Sequence, residues 1–151
     1  MALTQNPPPV FSGEFRHALD SKNRVTIPSR WRASDADEFF LILDRSGNFA
    51  RLMPPAQFRE VGERLANNPE VAPRDRTVFL RHFYSRSIQV FADKQGRLTV
   101  PDDVGKKLGL DGEAVLVGTH QTFELWSASA WAATQQAENA LFERVADLVG
   151  L

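Results

Sequence analysis

Apolar and polar residues alternate in two short segments of the chain, and each segment ends at a tight turn. A period of two predicts β-strands with one buried face. The residues predicted to share that face are Phe15, His17 and Leu19 in the first segment, and Ile88, Val90 and Ala92 in the second. After each turn a second short strand (25–27 or 98–100) is predicted to end at a proline, Pro28 or Pro101. The pattern predicts two β-hairpins.

The rest of the chain predicts short helices and further strands. A helical stretch is expected from Ser29 to Arg32 onward and another over 102–108, where Gly109 suits a helix stop. Further strands are predicted over 39–43, 49–53, 114–117 and 123–126. A helix should close each half, one opened by Pro55 and the other capped by Ser127. A linking helix is expected near 73–85, with Phe79 and Phe83 stacked one turn apart. The expected class is α+β, mainly β with helices.

An internal repeat at an offset of 73 residues organises these elements. Asp20-Ser-Lys-Asn-Arg-Val-Thr-Ile-Pro28 aligns with Asp93-Lys-Gln-Gly-Arg-Leu-Thr-Val-Pro101, and Asp, Arg, Thr and Pro coincide. The same offset, taken without gaps, places Leu43 on Leu116, Leu52 on Leu125, Met53 on Trp126 and Phe58 on Trp131. We interpret this as a duplicated unit. The predicted organisation is a disordered tail over 1–9, a first repeat over 10–85, and a second repeat with a C-terminal helix over 86–151.

The two turns share one backbone requirement. Asn23 and Gly96 occupy the same repeat position, and Asn and Gly are the residue types that best tolerate a positive φ. A tight loop with a left-handed residue before its return strand needs one of them there.

Composition and charge narrow the functional classes. The chain has no cysteine, which excludes disulfides and thiolate chemistry, and its three histidines fit no metal-ligand spacing. No catalytic motif is found, so we expect no enzyme activity, no metal, no cofactor and no small-molecule substrate. No apolar run is long enough to span a membrane and no secretion signal is recognised, so we expect a cytoplasmic protein.

The net charge is −1, but basic and acidic residues are segregated along the chain. Residues 74–97 carry six basic and two acidic residues, and residues 111–151 carry six acidic and one basic. This favours one basic and one acidic face.

The duplicated Asp-x-x-Gly/Asn-Arg-hydrophobic-x-hydrophobic-Pro unit resembles the MraZ family, as do Gly13-Glu-Phe-Arg-His-Ala-Leu-Asp-Ser-Lys22 and Phe123-Glu-Leu-Trp126. The resemblance implies two AbrB-like repeats that form a pseudo-two-fold swapped-hairpin β-barrel with flanking helices. It also implies a ring-shaped homo-oligomer that binds repeated boxes in the promoter of a cell-division and cell-wall gene cluster, at the nucleoid. Asn23 departs from the Gly that is usual in the family.

The predicted DNA-binding residues lie at the turns: Ser21, Lys22 and Arg24 in the first, and Lys94, Gln95 and Arg97 in the second. Arg24, with Lys22 beside it, is the expected principal contact, because Arg and Lys neutralise phosphates and Arg can also bind guanine bidentately. Asp20, Asn23, Asp93 and Gly96 are expected to shape the turns, and the two acids to orient the arginine four residues later. Two alternatives remain: Asp–Arg pairs that only stiffen a surface turn, and an oligomeric protein-binding scaffold without specific DNA recognition.

Overall fold

A computed structural model describes residues 8–151, so most of the predicted tail over 1–9 lies outside the described residues. Within that range the strands are β1 (Glu14–Ala18), β2 (Arg24–Thr26), β3 (Glu38–Leu43), β4 (Phe49–Met53), β5 (Ile88–Phe91), β6 (Arg97–Thr99), β7 (Glu113–Gly118) and β8 (Phe123–Trp126). The α-helices are α1 (Pro55–Ala66), α2 (Pro73–Ser85), α3 (Asp102–Leu108) and α4 (Ala128–Leu148). The predicted α+β class is confirmed.

The strands of the two halves are interleaved. Six strands form an antiparallel sheet in the order β1-β7-β8-β4-β3-β5, and β2 pairs with β6 in a separate two-stranded sheet. The first strand of each half therefore pairs in the other half: Phe15 of β1 lies opposite Leu116 of β7, and Ile88 of β5 lies opposite Leu41 of β3. This exchange is the swapped arrangement that the family resemblance implied.

A pseudo-two-fold axis relates the halves. Val25 lies opposite Leu98, and Arg51 lies opposite Glu124, and the members of each pair are separated by the 73-residue repeat offset. An axis must pass between residues that pair with their own repeat equivalents. Arg51 and Glu124 also form an ion pair at 3.8 Å.

Three sequence-based expectations need correction. The strands flanking each turn do not form a simple hairpin ladder, because β2 pairs with β6 across the pseudo-axis. The six-stranded sheet has β1 and β5 as its edge strands, and β2–β6 forms a separate sheet. The predicted barrel is therefore not closed by one continuous ladder of hydrogen bonds. The helix expected from Ser29 onward is a single 3₁₀ turn over Ser29–Trp31.

The gapless offset is also wrong in one place. Leu52 and Leu125 are repeat equivalents, and they pair with Leu41 and Leu116 respectively. Leu116 therefore corresponds to Leu41 and not to Leu43. The connection between β3 and β4 is two residues longer than that between β7 and β8, and the loop before β3 is correspondingly shorter.

An aromatic cluster fills the space between the six-stranded sheet and β2–β6. Phe11, Trp31 and Phe123 are almost completely buried, and their ring centroids lie 5.0–5.5 Å apart. Val25 and Leu98 cover this core from the β2–β6 side without any exposed surface. The strands that follow the turns are thus anchored in the buried core of the molecule.

The helices flank the sheet as predicted. Phe58 of α1 stacks on Phe40 at 4.1 Å, and Trp131 of α4 packs against Trp126 at 5.3 Å. The linking helix α2 has the predicted bounds, and its Phe79 and Phe83 stack at 5.4 Å. The Ser127 cap is confirmed by a hydrogen bond that Oγ accepts from Ala130 N, and the Gly109 stop by a left-handed φ of 68°. Across the described part of the chain, every helix is too short or too polar to cross a membrane.

Candidate nucleic-acid interface

Asp20 organises the first turn through both of its carboxylate oxygens. Oδ1 accepts hydrogen bonds from the backbone N–H groups of Lys22 and Arg24, each at 2.9 Å, and Oδ2 accepts one from Arg24 Nε at 2.7 Å. The backbone closes the loop, since Asn23 N donates to Asp20 O and Asp20 N donates to Arg24 O. One carboxylate thus fixes both the loop and the arginine that leaves it.

Asp93 repeats this arrangement in the second turn. Its Oδ1 accepts from Gln95 N at 3.0 Å and Arg97 N at 2.9 Å, and its Oδ2 accepts from Arg97 Nε at 2.8 Å. Gly96 N donates to Asp93 O, and Asp93 N donates to Arg97 O. The two turns share the same hydrogen-bonding scheme although their exposed residues differ.

The shared loop shape rests on one left-handed residue per turn. Asn23 has a φ of 58° and Gly96 a φ of 78°. Asn23 is exposed, and its Nδ2 donates to Asp102 Oδ1 at 2.6 Å, which ties the first turn to the start of α3. Gly96 is buried against the side chain of Arg32, which lies 3.1 Å from the position that a Cβ would occupy.

The two turns lie side by side. Ile27 N donates to Gly96 O and Val100 N donates to Asn23 O, both at 2.8 Å, so each turn is bonded to the strand that follows the other. Arg24 Nη1 also lies 3.9 Å from Asp93 Oδ2, which places the Arg24 guanidinium between the turns. We call the surface made by Ser21, Lys22, Arg24, Lys94, Gln95 and Arg97 the paired tip.

Exposure differs among the residues of the paired tip. The four residues at the loop ends, Ser21, Lys22, Lys94 and Gln95, are exposed. The side chain of Arg24 is only 22% exposed and that of Arg97 36% exposed, because each is held against its aspartate. The lysines are therefore free to meet a ligand, whereas the arginines can offer mainly their Nη groups.

The turn aspartates are held in their charged form. The hydrogen bond from the Arg24 backbone N–H, followed by that from its side chain, lowers the pKa of Asp20. The backbone and side-chain bonds from Arg97 lower the pKa of Asp93 in the same way. The paired tip carries four basic side chains, and together with these two carboxylates they give a net formal charge of +2.

Arg32 is a turn-supporting residue that the sequence motif did not identify. Its Nη2 donates to Asp93 O at 3.2 Å while its side chain packs on Gly96. It lies 61 positions before Asp93, so no local pattern links it to the second turn. Of the other arginines near the first turn, Arg30 donates to Ser12 O and lies over the Phe15 ring, and Arg16 pairs with Glu113.

A metal-ligating cluster is not found among the described residues. Among residues 8–151, no group of three or more His, Cys, Asp or Glu side chains could hold a metal ion. The arrangement suits recognition of an anionic ligand, because hydrogen-bonded loops present exposed lysines beside guanidinium groups that are held by carboxylates.

Comparison with known proteins relates the chain to one family. The family model described as "MraZ protein, putative antitoxin-like" matches residues 83–150. A protein named "Transcriptional regulator MraZ" from Desulforamulus reducens is 33% identical over 138 residues, which cover 91% of this chain and 96% of that protein. Proteins of the same name from Clostridium tetani and Desulfitobacterium hafniense are 31% and 33% identical, with 91% and 94% of this chain covered and 95% and 99% of theirs.

Proposed function

Since the chain belongs to the MraZ family, we propose that it is a transcriptional regulator that binds double-stranded promoter DNA sequence-specifically through the paired tip. The regulatory role in this proposal is taken from the relatives, which are named transcriptional regulators. One observation carries the assignment to the tip: the two loops are built alike, lie together and present exposed Lys22 and Lys94.

The tip residues have complementary tasks in this proposal. Lys22 and Lys94 neutralise phosphates, and the Nη groups of Arg24 and Arg97 approach guanine edges in the major groove. Ser21 and Gln95 add neutral hydrogen bonds. Asp20 and Asp93 hold the arginine Nε atoms, so the guanidinium groups are oriented before DNA arrives and less side-chain entropy is lost on binding.

One tip offers few contacts, so assembly is part of the proposal. A ring-shaped homo-oligomer presents the tip once per subunit, and repeated promoter boxes at a matching spacing can engage several tips. Effective concentration then raises avidity by about 10²–10⁴-fold without new contacts. The proposed target is the promoter of a cell-division and cell-wall gene cluster that includes the protein's own gene, and the proposed place of action is the nucleoid in the cytoplasm.

An oligomeric protein-binding scaffold is the second candidate. The observation that favours it is the row of exposed apolar side chains on α4, which include Leu141, Phe142, Val145 and Leu148. A scaffold has no need for exposed lysines at the ends of two matched loops, so DNA binding by the tip separates the two functions.

The test is DNA binding by wild type, Lys22→Ala and Arg24→Ala over a salt series. Arg64→Ala, an exposed arginine on α1, is the matched control. Lys22→Ala leaves every hydrogen bond of the turn in place and should reduce the salt slope by about 0.9 for each phosphate that the lysine neutralises. Arg24→Ala should bind more weakly still. If both variants bound DNA with the affinity and the salt dependence of the wild type, the paired tip would be ruled out as the DNA interface.

A further inference from the structure

An open groove of about 950 Å³ lies between α2 and the β3–β4 hairpin. Its apolar part includes Ile42, Phe79 and Phe83, and its charged part includes Arg45, Arg86 and Lys107. Among all the side chains that line it, four are Arg or Lys and two are Asp. Phe79 is 41% exposed at this site. We call this feature the basic groove.

The C-terminal half of α4 projects away from the other described residues, 8–134. From residue 135 to residue 151 every residue except Ala146 is exposed. At 100° per residue, Leu141, Phe142, Val145, Leu148 and Val149 form one stripe on the helix, and each is at least 46% exposed. Apolar stripes of this kind mark interaction surfaces.

We propose that the apolar stripe of α4 from one copy of the chain docks in the basic groove of the next copy. The apolar parts match in kind, since leucine, valine and phenylalanine side chains would meet Ile42, Phe79 and Phe83. Glu138 lies on the stripe one turn before Leu141, where it would meet the arginines of the groove.

Charge favours docking of α4 in the basic groove over packing of α4 against the α4 of another copy. Residues 135–151 contain Glu138, Glu143 and Asp147 against Arg144 alone, so two such helices would repel each other, whereas the basic groove attracts one. The contact joins two different surfaces. Such a head-to-tail interface closes into a ring or grows into a filament. In a ring, this contact would be the interface between neighbouring subunits. That ring interpretation rests on the proposed function.

The test uses one charged substitution on each surface and then mixes the variants. Leu141→Glu blocks the stripe but leaves the groove intact, and Phe79→Glu blocks the groove but leaves the stripe intact. Each alone should weaken self-association by on the order of 100-fold or more, since an apolar anchor is removed and an unpaired carboxylate is buried. Light scattering after size exclusion should find both as monomers. Ala140→Glu and Thr77→Glu, on the opposite faces of the same helices, should assemble like the wild type.

The mixture decides between head-to-tail and symmetric contacts. One intact stripe and one intact groove remain, so the mixture should form a discrete dimer of twice the 16.9 kDa chain mass and nothing larger. Formation of that dimer also shows that both variants are folded. If circular dichroism finds Phe79→Glu unfolded, Arg86→Glu on the same groove replaces it.

Three results would overturn the contact: a monomeric wild type at tens of micromolar, a blocked variant that still assembles, or a mixture that remains monomeric. DNA binding is measured separately on the same samples. Failure of the wild type to bind DNA while the mixed dimer forms would reject the proposed function and leave the contact standing.

Discussion

The left-handed residue of the first turn gives a quantitative test of how the turn is built. Asn23 has a φ of 58°, and its Nδ2 donates to Asp102 at 2.6 Å. Asn23→Ala forces a Cβ-bearing residue without a polar group into the left-handed region, at a cost of about 1–2 kcal/mol. Loss of the exposed hydrogen bond adds about 0.5–1 kcal/mol. We expect the free energy of unfolding to fall by roughly 1.5–3 kcal/mol in total.

Asn23→Gly separates the two contributions. Glycine adopts this φ without strain, so the cost comes only from the lost hydrogen bond and from the greater conformational entropy of the unfolded chain, and the change should stay within about 1 kcal/mol. In the second turn, Gly96→Ala meets Arg32 Cδ at 3.1 Å, a flexible side chain that can move, so its cost should come mainly from the φ of 78°.

Urea denaturation of wild type and the three variants measures these differences, with the m-value checked for constancy. If Asn23→Gly were destabilised as much as Asn23→Ala, backbone strain would not govern the turn and the reasoning would be refuted. Loss of stability in Asn23→Ala together with unaltered DNA binding would show that loop shape matters to folding but not to recognition.

Three further predictions concern packing, capping and pH. Gly118→Ala would place a Cβ 2.5 Å from the backbone carbon of Phe11, so thermal unfolding should reveal a loss of about 1–3 kcal/mol or more. Ser127→Ala removes the α4 cap and should cost about 1 kcal/mol in the same assay. Hydrogen bonds lower the folded-state pKa values of Asp20 and Asp93 below the usual 3.8, so their stabilisation is complete above that pH and is lost as the pH falls through the lowered values. Urea midpoints measured from about pH 5 to about pH 2 should therefore fall less steeply in the double variant carrying Asn at both positions, and an equally steep fall would contradict this origin.

Local chemistry made the elements and the turns predictable. Alternation located the strands, and the shared position of Asn23 and Gly96 indicated a left-handed residue in both loops. Ser127 and Gly109 marked helix ends because capping depends on near neighbours in the sequence.

Strand partners could not be derived in the same way. Both halves have the same pattern, so β1 is equally compatible with its own half and with β7, and only packing of the complete chain selects β7. The β3–β4 connection is two residues longer than the β7–β8 connection. The apolar pattern could not reveal this difference, because Leu116 matches a leucine in β3 with or without the two-residue shift. The turn-supporting role of Arg32, which from the sequence could be either a DNA-flanking or a solvated residue, could not be predicted because its partners, Asp93 and Gly96, are distant in sequence.

The proposed function depends most on whether the paired tip recognises a particular DNA sequence. The direct measurement is the ratio of dissociation constants for the protein's own upstream promoter and for a scrambled duplex of equal length, at one fixed salt concentration. We expect at least about a thousand-fold preference for the promoter, as is typical of specific regulators. Equal affinity for the two duplexes would contradict sequence-specific regulation by the paired tip.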